Sequence, residues 1–134
     1  MNALRQIHAA LVPDGLLVDT QPVSPQPPIR LDDAQLGTLD MREWAATIDA
    51  IDRQTALTVD DGLYRLEHQR ALTVTDTYDD GPELIRYVHD WQGTRIPPPV
   101  ALTLSDVPAL VSLDQEVRLR LYRALHPPSR GTTI

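Results

Sequence analysis

Four histidines, His8, His68, His89 and His126, are the side chains best suited to hold a metal or move a proton near neutral pH. None stands in an H-x-x-x-H or comparable ligand spacing, and no carboxylate-rich motif joins them, so no metal centre is expected. Six aspartates form adjacent pairs, Asp32-Asp33, Asp60-Asp61 and Asp79-Asp80. Paired carboxylates can divide acid and base work between them, but each pair falls where a helix starts or the chain turns. Aspartate serves backbone amides at such places, and capping and turn chemistry accounts for all three pairs. The serines at 24, 105, 112 and 129 lack the G-x-S-x-G setting of an activated nucleophile. With no cysteine in the chain, disulfides, thiolate metal sites and a thiol nucleophile are excluded together. No catalytic residue, metal or cofactor is expected from these spacings.

Three other groups invite a functional reading. Arg118, Arg120 and Arg123 could form an anion patch, or pair across a sheet with Glu67 or Asp76. Trp44 and Trp91 could be ligand platforms, but both fall on apolar helix stripes and are read as core. Asp19-Thr20 follows the apolar run Leu16-Leu17-Val18, and ligands of open α/β sheets gather at the carboxyl ends of strands. These two residues are the weak candidates for a cofactor-binding role.

The elements that must position these groups follow from periodicity. Residues 2–12 carry Leu4, Ile7, His8 and Leu11 at helical spacing, and Pro13-Asp14-Gly15 stops the helix and turns the chain. Leu16-Leu17-Val18 then reads as a strand buried on both faces. Residues 21–30 hold four prolines in ten positions and read as an extended linker; 22–39 is taken as a proline-rich excursion, with a short hairpin near Gly37. Asp40 opens a helix with Glu43 three residues on, as in a capping box, and Met41, Trp44, Ala45, Ile48 and Ile51 form its apolar stripe. From Leu66 to Tyr78 the period becomes two, with Leu66, Leu72, Val74 and Tyr78 on the inner face. Asp79-Asp80-Gly81-Pro82-Glu83 starts a second helix that runs to about Gln92. Pro97-Pro98-Pro99 argues against a helix or central strand directly after it. Residues 100–113 remain open, and 116–125 alternate, with Val117, Leu119 and Leu121 inward and Arg118, Arg120 and Tyr122 outward. Residues 1–125 read as one domain and 126–134 as a flexible tail.

A chain of 134 residues can bury a self-supporting core. Its net charge of −7 and pI near 4.8 argue against nucleic acid or an anionic membrane as partner, since both demand clustered positive charge. No run approaches the ~18 apolar residues of a membrane span and no signal-peptide pattern opens the chain, so a cytoplasmic protein is expected.

The order of elements, with Leu11-Val12-Pro13-Asp14-Gly15-Leu16-Leu17-Val18-Asp19 at its start, resembles the C-terminal part of a class I S-adenosylmethionine-dependent methyltransferase. In that family a helix ending in L-x-P-G-G leads into the fifth strand; Asp14 departs from that wording. The resemblance implies a helix at 40–57, a sixth strand at 66–78 and an antiparallel seventh strand at 116–125 inserted between the fifth and sixth. The expected fold is therefore an α/β (α+β-like) fragment: about three strands in a mixed sheet, in the order 5-7-6, flanked by helices. The half of the family fold that binds the cofactor is expected to be missing. The six glycines, at 15, 37, 62, 81, 93 and 131, form no G-x-G turn, and Met1 stands directly before the first helix.

A sheet cut before its fifth strand leaves Leu16, Leu17 and Val18 on an open edge. The expected role is a non-catalytic methyltransferase-like interaction module that dimerises through this edge or completes another protein's sheet. Two alternatives stand beside it. One is a C-terminal segment of a split methyltransferase, active and able to hold S-adenosylmethionine only with a separate Rossmann-like half. The other is a small-molecule binding module using the space between the proline linker and the 40–57 helix.

Overall fold

The computed structural model describes residues 3–11 and 14–126. Pro13 of the expected turn and all of the expected tail except His126 lie outside them. Nine elements follow in order: α1 Ala3–Ala10, β1 Leu16–Pro22, β2 Pro28–Leu31, β3 Ala34–Thr38, α2 Arg42–Asp60, β4 Tyr64–Tyr78, α3 Gly81–His89, α4 Pro98–Ser105 and β5 Val111–Ala124. The class is α/β, with one open sheet of five strands and four helices among the described residues.

The sheet differs from a three-stranded mixed one in two ways. It has five strands, and every pairing between them is antiparallel. The long β5 lies centrally. It pairs with β4 along its whole length on one side, and on the other with β1 through 117–123 and with β2 at Ser112 and Leu113. Since β1 and β4 both run antiparallel to β5, they are parallel to each other.

The two additional strands come from the segment expected to be an excursion. Proline removes a donor but leaves its carbonyl, and the carbonyls of Pro25 and Pro27 accept from Met41 and Leu39 at 2.8 and 3.0 Å. Pro28 stands at the first position of β2, where a missing amide is tolerated. The β2–β3 turn falls at Asp32-Asp33, with Asp32 at φ 51, and not at Gly37, which lies inside β3 opposite Ile29. The three prolines after α3 likewise begin a helix: Pro98 and Pro99 open α4, whose first amides have no intrahelical partner in any case.

Two cores form, and the pleat places them on opposite faces of the β4–β5 ribbon. The first joins Val111 and Leu113 of β5, Tyr78, Ile29 and Leu39 to Leu84 and Val88 of α3 and to Leu104 and Val107. α3 fits closely there because Gly81 has no Cβ: one built at that position would lie 1.8 Å from the Leu104 carbonyl oxygen. Asp80 caps α3 by accepting from Glu83 N at 2.8 Å, while the Glu83 carboxylate accepts from Asp79 N. The second core is Tyr64, Tyr122 and Ala124, with Leu4, Leu11, Leu17 and Val59 packed around them. α2 spans both, with Trp44 against the first core and Val59 against the second.

Asp40 does accept from a first-turn amide, Arg42 N at 3.1 Å, though Met41 is the residue at the cap and Glu43 closes no box. Three burial expectations are corrected. Leu16 and Val18 are 50% and 58% exposed, so β1 is covered on one face only, by α1 and α2 over Leu17. β4 is exposed through most of its middle, and Leu66 is an exposed residue. In the C-terminal half of β5 the faces are reversed: Tyr122 is buried, while Val117, Leu119 and Leu121 are only half-buried.

Candidate functional site

α1, the β1 face and α2 enclose a cleft of about 680 Å³. Leu4 and Ile7 enter it from α1, Leu17, Asp19 and Gln21 from β1, and Ile51 from α2. The alternation of β1 sends residues 17, 19 and 21 to this side, and the opposing Tyr122, Arg120 and Arg118 share it. Asp19 is therefore a mid-strand residue in the cleft wall, not a residue beyond the strand end, because β1 continues to Pro22. Its carboxylate accepts from Gln21 Nε2 at 2.9 Å. Thr20 points to the opposite, exposed face, so the two weak candidates do not form one site.

Beside the cleft lies a layer of charge between α2 and the sheet. Arg118 donates both terminal nitrogens to Asp52, at 2.9 and 2.7 Å, and Arg120 Nη1 reaches the same carboxylate at 3.2 Å. Side-chain exposure is only 15% for Arg118 and 19% for Arg120, which makes this a covered fork-on-carboxylate contact. The Asp52 hydrogen bonds raise the Arg118 pKa above its already high ordinary value, against the opposing effect of burial. Arg118 Nε is buried with no hydrogen-bond partner among the described residues, so the pair carries some uncompensated desolvation. This layer fastens α2 across the sheet and supplies neither a nucleophile nor an anion site. Asp52 was not singled out from sequence, although it follows Ile48 by four and precedes Thr55 by three, the spacing of the inward side.

The remaining candidates scatter. Arg123 pairs with Glu67, and Arg65 joins the same carboxylate at 3.0 Å; these two arginines, Arg123 first, hold the Glu67 carboxyl below its usual range. Arg118, Arg120 and Arg123 thus form no anion patch, and none pairs with Asp76. His8 Nε2 donates to the Leu125 carbonyl at 2.7 Å, stacks on His126 with ring centres 4.4 Å apart and meets Tyr64 edge-on. His68 and His89 are exposed on β4 and α3. Among the described residues no group of three or more His, Cys, Asp or Glu is placed to hold a metal. Ser24 Oγ accepts from Glu116 N and Ser105 Oγ donates to Ala101 O; Ser112 lies in β5, and Ser129 is outside the described residues.

Trp44 of α2 and Trp91 both line a second hollow of about 410 Å³ that also includes Asp76, Asp90 and Gln115. α3 ends at His89, short of the expected Gln92, so Trp91 stands in the loop after it and not on a helix. Sequence periodicity placed both indoles on apolar stripes and gave no sign that the stripes converge.

Among the described residues no helix is long and apolar enough to cross a membrane. No protein-family model, curated protein or solved structure matches this chain.

Proposed function

We propose that the chain is a non-catalytic, methyltransferase-like interaction module of the cytoplasm that completes a sheet along the outer edge of β1, in the first instance with a second copy of itself. The observation that carries the reading is β1. Among the described residues it has a neighbour on one side only, and Leu16 and Val18 stand exposed beside its open backbone. Leu16, Leu17 and Val18 form the proposed edge. Unpaired amides and carbonyls next to apolar side chains favour pairing with another strand, and a two-fold axis is the usual way for like edges to meet. The likeness to the methyltransferase C-terminus is supported by the spatial order β1-β5-β4, with the last strand antiparallel between two parallel ones.

Light scattering at micromolar concentration tests this: the wild type is expected to be dimeric and Val18→Glu monomeric with an unchanged far-ultraviolet spectrum. A monomeric wild type overturns the reading. Calorimetry is expected to show no uptake of S-adenosylmethionine by the purified chain.

The same edge supports a second reading, a C-terminal segment that completes a separately encoded methyltransferase half. That reading predicts S-adenosylmethionine binding only after co-expression with a glycine-rich Rossmann-like partner.

A further inference from the structure

The hollow shared by the two tryptophans has a chemistry of its own. Trp44 enters from α2 and Trp91 from the loop after α3, and Met41 adds a thioether to the apolar wall. Asp76 of β4 and Asp90, the residue that closes α3, supply two carboxylates, and neither has a hydrogen bond or ion pair among the described residues. The arginines nearest in sequence to the rim are already engaged, Arg42 with Asp40 at 2.8 Å and Arg95 with Glu43 at 3.8 Å. We infer that this hollow binds a small organic cation of the methylated-ammonium class, its apolar groups against the indoles and its charge facing Asp76 and Asp90.

Three features favour that class. First, Trp44 spends its only polar atom on the Pro22 carbonyl, Nε1 donating at 3.0 Å, so ring surface and not a hydrogen bond is what it offers a ligand. An indole face attracts a cation through its quadrupole, and a dispersed alkylammonium charge loses little hydration on entering. Second, two unpaired carboxylates disfavour an anion or a neutral apolar guest, while two are too few to strip and hold a hard metal ion. The net charge of −7 draws cations in the same sense.

Third, the walls are held in place before any ligand arrives. Asp40 and Arg95 exchange backbone hydrogen bonds, each 2.8 Å. The Gly93 carbonyl accepts from Trp44 N at 3.2 Å, and Gly93 has φ 64. A Cβ at Gly93 would lie 2.7 Å from Trp44 N, so glycine is what permits the loop carrying Trp91, Gln92 and Thr94 to close against α2. A volume of about 410 Å³ falls in the range of small-ligand sites.

Both tryptophans of the chain line this hollow, so fluorescence excited selectively at tryptophan reads its surroundings. Choline is titrated at fixed ionic strength against its uncharged carbon isostere, with calorimetry as a second readout. Saturable binding of choline is expected, with the isostere and the Asp76→Asn, Asp90→Asn double variant each weaker by about tenfold or more. These carboxylates hold no other group, so the variant should keep the wild-type circular dichroism; the single variants are measured if it does not. No saturation by either readout, equal binding of the isostere, or undiminished binding by the Asn variants overturns the inference. It does not rest on the reading of β1, and titrating Val18→Glu alongside separates the two.

Discussion

The two ends of the β4–β5 ribbon are finished to different degrees. At one, ten buried hydrophobic residues from β2, the end of β4, α3, α4, the start of β5 and the connections at Leu39, Met41 and Val107 close on one another; at the other, the buried hydrophobic cluster is Tyr64, Tyr122 and Ala124. α1, which helps cover the second end, has no buried residue of its own. The first core brings Ile29, Leu39 and Met41 onto a continuous run of elements from the end of β4 to the start of β5, whereas the second relies on a short helix and on tyrosines that keep a polar end. One end of this molecule is packed by its own sequence, and at the other Leu16 and Val18 stay exposed.

Core truncation should break or sharpen that contrast most strongly. Leu84→Ala removes a side chain with no exposed surface and should cost about 2–5 kcal/mol in urea unfolding. Leu17→Ala, on the half-covered face of β1, should cost about 1 kcal/mol in the isolated chain. Equal costs would mean that the second end is as well built as the first.

A smaller effect is expected at the tie between α1 and the sheet. Tyr64 donates its hydroxyl to the Leu4 carbonyl at 2.7 Å, and Tyr64→Phe should cost about 1 kcal/mol. Hydrogen exchange should show faster exchange of α1 amides while those of α3 stay unchanged. Loss of protection in α3 as well would join the two ends into one cooperative unit.

The smallest effect concerns pH. Hydrogen bonds from the Arg42 side chain and backbone pull the Asp40 carboxyl down from its ordinary 3.8 to about 2. Because the folded value lies below the unfolded one, the contribution is present above the ordinary value and is lost as pH falls through about 2. Carbon-detected titration should place the Asp40 midpoint there, and Arg42→Gln should return it upward.

Three of the four helices were legible in the sequence because their signals are local; α4 was not, because the prolines counted against a helix at 97–99 are the residues that open it. The Ile48 and Leu84 stripes and the Asp80 cap depend on residues within a few turns, and α2 and α3 stand where periodicity puts them. Strand identity at 16–18, 66–78 and 116–125 was legible for the same reason. Which face of a strand is covered was not, because that depends on where a distant helix lies. Arg118 and Arg120 look like wet-face residues until Asp52 on α2 is placed above them. In the 22–39 excursion the hairpin was expected near Gly37 and its first strand was missed, because the prolines were counted as lost donors, while their carbonyls and the φ 51 turn at Asp32 set the hairpin earlier. The hollow between Trp44 and Trp91 depends on the Gly93 contact, which no periodicity encodes.

The central place of β5 also has a kinetic meaning. It follows every other strand in the chain, yet the pairings of β1 and β4 all run through it. As the polypeptide leaves the ribosome, only the β2–β3 hairpin can zip by local contacts; β1 must wait about a hundred residues for its neighbour. During that interval a nascent chain exposes several bare margins at once, and a companion already at hand could settle there before the molecule's own last strand arrives.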